Sequence, residues 1–205
     1  MIPLTRFPEP DYFDKEVRQR GLAFLRSKKI ELDVAAPPKT EFKPFWAVCK
    51  KDLYSLFCGY CAYTCFHIHE TTGATTVEHI MPKRLFPKFA YEWNNYCLAC
   101  ARINSKKGEQ IDLLNPFDVT KGLFILKLET GFILANTAHH QFDIADKTIT
   151  NLDLNNQTWC DARKKCIYDY IENRKNGLCL RIAEQRLKEA SVFVWLEAGR
   201  QGYLI

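Results

Sequence analysis

One central stretch, TVEHIMPKRLFPKFAYEWNNYCLACARINSKKG from Thr76 to Gly108, decides the fold of this chain. Residues 95–99, which are apolar after Asn95, predict a strand. The segment before them, residues 81–94, contains two prolines and many aromatic residues, which predicts a long loop. A helix is expected to begin directly after the strand, near Cys100 or Ala101.

Helices and hairpins are expected on both sides of this stretch. An amphipathic pattern predicts a helix over residues 11–28, with Gly21 as a weak point, and proline-rich residues 33–44 predict an extended connector. Residues 64–80 should form short strands around a turn at Gly73. The other predicted elements are a short helix over 45–57, a hairpin from 123–128 and 132–135, a helix from about Asn155 to Asn176, and a last helix over 180–198.

This order of elements predicts an α+β fold in three parts. Residues 1–44 would form an N-terminal helix and connector, and residues 45–115 a cysteine-rich core. Residues 116–205 would add the extra β-hairpin and the C-terminal helices, packed on that core.

The composition limits the classes of protein to which this chain can belong. In 205 residues, 47% are hydrophobic and 13% aromatic, which is enough for a packed core. The net charge of +5 suits a polyanionic partner, although many ordinary enzymes are equally basic. No signal peptide is recognisable and no apolar run is long enough to cross a membrane, so we expect a cytoplasmic protein without a membrane partner. Nine cysteines in that compartment indicate reduced thiols or metal ligands.

Two CxxC pairs have the spacing of zinc knuckles. Cys58 and Cys61 form the first pair, and Cys97 and Cys100 form the second. Two such pairs can complete a tetrahedral site, which predicts a structural Zn²⁺. The alternative is that Cys97, in an apolar strand, is simply a buried thiol.

The cysteine pairs enclose an ordered set of polar residues. In chain order these are CxxC, Glu78-His79 followed by Pro82, Trp93-x-Asn95, Cys100, and Asn104-x-x-Lys107-Gly108. The set resembles the HNH nuclease family, in which a zinc knuckle is threaded through a ββα-metal fold. The residues of the motif are similar to those of the branch found in Septu-type and retron-linked bacterial anti-phage systems, whose HNH proteins act beside an ATPase. The resemblance covers roughly residues 45–175.

The resemblance implies a role for each matching residue. His79 corresponds to the base that deprotonates water, and Glu78 to a ligand of the catalytic cation. Asn95 corresponds to the residue that braces the loop carrying His79. Asn104 corresponds to the third motif residue, placed against the metal, and Lys107 to a candidate phosphate ligand. The basic residues Arg102 and Lys106 beside it are further candidates for contact with phosphates.

The chemistry of the residue types agrees with these roles. Oxygen ligands from Glu78 and Asn104 suit Mg²⁺ or Mn²⁺, and a histidine with a pKa near 6.5 suits proton transfer at neutral pH. One departure concerns the zinc: the family helix usually opens with a second cysteine where this chain has Ile103. Either Cys97 replaces that ligand, or the zinc has three protein ligands, or it is absent.

We therefore expect a metal-dependent endonuclease that hydrolyses DNA phosphodiester bonds, acting in anti-phage defence with an ABC- or SMC-like ATPase as partner. One alternative is a zinc-stapled module that docks on an ATPase or binds nucleic acid, with little catalysis alone. Another is a nuclease directed at RNA, including transfer RNA, since hydrolysis by such a site neither requires nor forbids a 2′-hydroxyl.

Overall fold

The computed structural model describes residues 1–72 and 74–204, and within them the chain has a mixed α+β fold. Two small antiparallel sheets are surrounded by helices. The strands are β1 (Thr75–His79), β2 (Tyr96–Cys100), β3 (Phe124–Lys127) and β4 (Phe132–Ala135). The helices are α1 (Arg20–Ser27), α2 (Lys50–Leu56), α3 (Ala101–Lys107), α4 (Phe142–Asn151), α5 (Gln157–Lys175), α6 (Leu180–Ala190) and α7 (Val192–Arg200).

The chain divides into two compact units whose boundaries differ from the three predicted parts. The first unit comprises Thr5–Gly59 and His69–Ile111, and the second comprises Met1–Leu4, Tyr60–Ile68 and Asp112–Ile205. None of the described helices is both long and apolar enough to cross a membrane.

A two-stranded hairpin followed by a helix forms the centre of the first unit. Strands β1 and β2 pair antiparallel, with Val77 opposite Leu98 and His79 opposite Tyr96. Helix α3 begins directly after β2, and the amide of Ala101 donates to the carbonyl of Ala74 at 2.8 Å. Residues 96–99 are all buried, which explains why β2 is apolar at consecutive positions instead of alternating.

The N-terminal helical segment packs against the loop between β1 and β2. A short π-helical segment, Asp14–Gln19, runs into α1, in agreement with the helix predicted over 11–28. Phe13 is buried and meets the rings of Trp93 and Tyr96 edge-on, with centroids 5.6 and 5.9 Å away. These contacts fix the end of the loop where β2 begins.

The second unit contains the predicted hairpin of β3 and β4, with helices α4 to α7. Helix α4 was not predicted, and the last helix divides at Ser191, whose hydroxyl accepts from the amide of Val194 and starts α7. Arg163 on α5 is buried and donates to the carbonyls of Gly131 and Leu154 at 2.8 and 2.7 Å. The run of three basic residues from Arg163 is therefore not a continuous cationic surface.

The strands predicted over residues 64–80 form only in part. Strand β1 begins at Thr75, whereas residues 64–69 contribute isolated bridges, at Phe66 and His67, and no strand. Cys65 has a positive φ of 57°, which is incompatible with an extended run through that residue. The predicted turn at Gly73 lies outside the described residues.

Gly21 is required by close packing in the first unit and is not merely a weak point of the helix. A Cβ atom at Gly21 would lie 2.0 Å from Cγ of Tyr91. We expect Gly21→Ala to lower the free energy of unfolding by about 1–3 kcal/mol, because the Tyr91 ring has to move. Urea denaturation measures the loss.

Gly199 in α7 provides the matched control. A Cβ there would meet a methyl group of Leu204 at 3.4 Å, and its φ is not in the left-handed region. Gly199→Ala should be neutral or slightly stabilising, because alanine is favoured over glycine inside helices by about 0.5–1 kcal/mol. Equal effects of the two substitutions would contradict the assigned contact.

Candidate active site

Three predicted site residues line one cleft in the first unit. The cleft has a volume of about 510 Å³, and Glu78, His79 and Asn104 all contribute to its walls. Strand β1 supplies Glu78 and His79 from its last two positions, and α3 supplies Asn104 from its second half. The spacing of the sequence motif therefore brings its acidic, imidazole and amide groups to a shared cavity.

His79 is held in one tautomer by a backbone carbonyl. Its Nε2 lies 3.0 Å from the carbonyl oxygen of Ala90, which also accepts from the hydroxyl of Tyr96 at 2.8 Å. Because a carbonyl oxygen only accepts, Nε2 carries the proton, and Nδ1 of the neutral ring keeps its lone pair. The ring is packed edge-on against Trp46 and Tyr96, with centroids 4.6 and 5.0 Å away.

This environment keeps the imidazole neutral. Burial, assisted by the positive charge of Lys83, lowers the pKa of His79 to about 3, and the hydrogen bond to Ala90 opposes the shift only in part. The expectation of a pKa near 6.5 is corrected accordingly, since His79 is 5% exposed. At neutral pH the ring is a proton acceptor, and in the isolated protein it is a weak base.

Asn95 braces the loop that follows His79, as predicted for this position. Its Oδ1 accepts from the amide of Met81 at 2.7 Å, and its Nδ2 donates to the carbonyls of Met81 and Phe89, both at 2.9 Å. The backbone adds a bond from the amide of Ile80 to the carbonyl of Asn95 at 2.9 Å. One amide side chain thus joins both ends of the loop between β1 and β2.

Lys107 lies in the interior, where it contacts both motif residues of β1. Its Nζ is 3.1 Å from Oε1 of Glu78 and donates to the carbonyl of His79 at 2.8 Å. The Lys107 side chain is 1% exposed and that of Glu78 is 3% exposed. This geometry does not present the ammonium to a phosphate in the cleft, so the predicted substrate contact is replaced by a structural one.

The Asn104 side chain lines the cleft and is held through its amide nitrogen. Its Nδ2 donates to Oγ1 of Thr76 at 2.9 Å and, more weakly, to the carbonyl of Val77 at 3.4 Å. Its Oδ1 accepts no hydrogen bond from any described residue. A carboxylate and an amide oxygen in one cleft fit Mg²⁺ or Mn²⁺, which retain several waters and need few protein ligands.

The predicted zinc ligands are not gathered into a metal site. Among residues 1–72 and 74–204, no group of three or more His, Cys, Asp or Glu side chains is arranged to hold an ion. Cys97 is fully buried in β2, Cys58 is exposed, and Cys61 belongs to the second unit. Cys100 precedes α3 and is partly exposed. The zinc knuckle is therefore not confirmed.

Two cleft residues were missed by the sequence reasoning. Lys83 is half-buried in the cleft wall, with its Nζ 5.3 Å from the ring centroid of Trp46, and it forms no ion pair with a described residue. Its position directly after Pro82 could have pointed to it, whereas nothing in the sequence around Trp46 does. The predicted candidates Arg102 and Lys106 are exposed on α3 and do not line the cleft.

Comparisons with known proteins identify no family for this chain. No family model matches the chain, and no curated protein matches it.

The ion pair of Glu78 and Lys107 generates a stability prediction. Lys107→Met should lower the free energy of unfolding by about 3–5 kcal/mol, because the Glu78 carboxylate would stay buried without its counter-ion. The double variant Glu78→Gln/Lys107→Met should recover much of that loss. Denaturation of both variants in urea tests the pair, and a single variant as stable as the parent would contradict it.

Proposed function

We propose that this chain is a metal-dependent endonuclease of the HNH type that hydrolyses phosphodiester bonds in DNA. The observation that carries the proposal is the convergence of Glu78, His79 and Asn104 on one cleft. The order of β1, β2 and α3 along the chain supports it, because a ββα-metal core requires two antiparallel strands followed directly by a helix.

His79 is the proposed general base. Ala90 holds Nε2–H, so Nδ1 is the nitrogen available to take a proton from water. Trp46 and Tyr96 limit the rotation of the ring, which keeps that lone pair in a fixed direction. A phosphodiester anion beside Lys83 offsets the charge of that lysine on the ring, so His79 becomes a stronger base when substrate is present.

Glu78 and Asn104 are the proposed holders of a divalent cation. When bound, Mg²⁺ or Mn²⁺ supplies neutralisation of the charge that develops on the phosphate and on the leaving oxygen. Lys107 fixes the Glu78 carboxylate, and Thr76 fixes the Asn104 amide, so both oxygens are positioned before substrate arrives.

Lys83 is the proposed phosphate contact, in place of Lys107. Its ammonium lies in the same cleft as His79, and it has no carboxylate partner among the described residues that would compete with an anion. Burial is the main cause that lowers its pKa, and the nearby charge of Glu78 opposes that effect. A cation in a partly dry cleft binds a phosphate oxygen more strongly than one in open solvent.

Replacing the base tests the central claim. His79→Ala should reduce nicking of supercoiled plasmid by about 10²–10⁴-fold, because the attacking water loses its proton acceptor. Cleavage by the parent should vanish in EDTA and return with Mg²⁺ or Mn²⁺.

Circular dichroism of the same preparations confirms that His79→Ala is folded. Undiminished nicking by the folded variant would overturn the assignment of the base, and cleavage of RNA in preference to DNA would favour the alternative substrate.

A paired lysine substitution tests the phosphate contact. Lys83→Met should reduce kcat/KM by about 100-fold, because one positive group at the reacting phosphate is lost. Lys88→Met is the matched control, since Lys88 is exposed in the same loop and pairs with Asp33 at 2.8 Å. Equal losses in the two variants would show that only overall charge matters.

The proposed cellular role is that of an anti-phage effector beside an ATPase. A net charge of +5 supports the need for a partner, because tight binding of DNA rests on roughly six to ten phosphate contacts. The second candidate function, a docking module with little catalysis of its own, is favoured if the ATPase binds the chain and no cutting follows.

A further inference from the structure

A second cleft adjoins the candidate active site within the first unit. It has a volume of about 580 Å³ and shares two wall residues, Thr40 and Phe42, with the cleft that contains His79. The shared wall belongs to the segment predicted as an extended connector. Any chain-like ligand bound over His79 can therefore continue into this second cleft without leaving the surface.

The second cleft is basic. Lys28, Lys29 and Lys43 line it, and Glu41 is the one acidic residue described in its wall. All three lysines are exposed, and none forms an ion pair with a described residue. By contrast, Lys88 of the same unit is paired with Asp33. Three unneutralised ammonium groups around one depression favour an anion with repeating charges.

Aromatic surface accompanies these charges. The Phe42 ring is half-buried, with its centroid 6.4 Å from that of the buried Phe24, so it is supported from behind. Two proline rings, from Pro37 and Pro44, add apolar wall. A supported aromatic ring beside lysines is the combination with which proteins hold unpaired bases and their backbone together.

We propose that this second cleft binds a single-stranded segment of nucleic acid next to the cleaved phosphodiester, with Lys28, Lys29 and Lys43 on its phosphates and Phe42 on a base. The inference rests on the proposed nuclease function, because it takes the strand in the second cleft to be the continuation of the substrate. An intact duplex keeps its bases stacked inside and cannot place one on Phe42, so the flanking strand is unpaired.

Binding, measured without cleavage, tests the proposal. The full-length His79→Ala protein is titrated onto a fluorescein-labelled oligothymidylate of about 16 nucleotides, and anisotropy gives Kd at several salt concentrations. Adding Lys28→Gln, Lys29→Gln and Lys43→Gln should weaken binding about tenfold or more. It should also flatten the salt dependence by about two in log–log slope, as expected for three phosphate contacts on a single strand.

A matched triple variant controls for net charge. Lys121, Lys127 and Lys147 are exposed in the second unit, and their replacement by glutamine removes the same three charges. This control should change Kd by less than about threefold, because none of the three side chains lines either cleft and exposed charges outside a binding site are largely screened. Equal losses from both triples would overturn the proposal, as would unchanged binding in the cleft triple.

The aromatic contact and the strand preference have their own readouts. Phe42→Ala should weaken binding about tenfold, as stacked aromatic residues do, while Phe132→Ala, at an exposed ring of β4, should not. A duplex with a single-stranded extension should bind more tightly than a blunt duplex of equal length. Equal affinity for the two would overturn the assignment to a single strand.

The results distinguish a failure of the strand-binding proposal for the second cleft from a failure of the proposed nuclease function. Lysine-dependent binding by a protein that never cuts would leave the strand-binding cleft standing and refute the nuclease. Metal-dependent cutting that requires His79, with binding indifferent to the three lysines, would refute the second cleft alone.

Discussion

The ammonium of Lys107 is the contact on which the candidate site depends. From the last turn of α3 it reaches the carboxylate of Glu78 and the carbonyl of His79, so it joins the helix to both motif residues of β1. A buried ion pair contributes little more to stability than a well-packed apolar pair would. The ion pair instead fixes the position of the Glu78 carboxylate, because a carboxylate bound at one oxygen by a fixed cation cannot rotate freely.

The same helix supplies the second oxygen of the site. Asn104 and Lys107 are three residues apart, so they lie on one face of α3 and both point to β1. Thr76 and Glu78 are two residues apart and share a face of β1, which receives both helix side chains. Helix and strand periodicity therefore bring together four side chains, those of Thr76, Glu78, Asn104 and Lys107. The hairpin register determines where along β1 these contacts form.

The sequence predicts this part of the site because its residues belong to one contiguous stretch with recognisable strand and helix periodicity. The second strand and the helix after it follow from the pattern of residues 95–107, whereas the bracing role of Asn95 was implied only by the family resemblance. The inward direction of Lys107 was also readable, since position 107 repeats the face of Ile103, which is buried. Residues 102–107 look like one basic run in the sequence, but only every third or fourth residue of a helix shares a face.

The CxxC spacing does not by itself specify the local backbone of the cysteine pairs. Cys58 and Gly59 both have positive φ, of 50° and 74°, and the amide of Gly59 donates to the carbonyl of Tyr54 at 2.8 Å. The first pair thus begins at the turn that ends α2. Trp46 could not be found from spacing, because its approach to His79 depends on how separate loops pack.

The burial of His79 and the positive charge of Lys83 both act on the proposed general base. Trp46, Tyr96 and Ala90 exclude water from most of the His79 ring, which keeps it neutral and fixed but weak as a base. The positive charge of Lys83 weakens it further while the cleft holds no anion. In the proposed function, a phosphate bound beside Lys83 offsets that second effect and is attracted by the same charge. The proposed base then gains strength when its substrate binds, while burial still lowers the pKa of the ring.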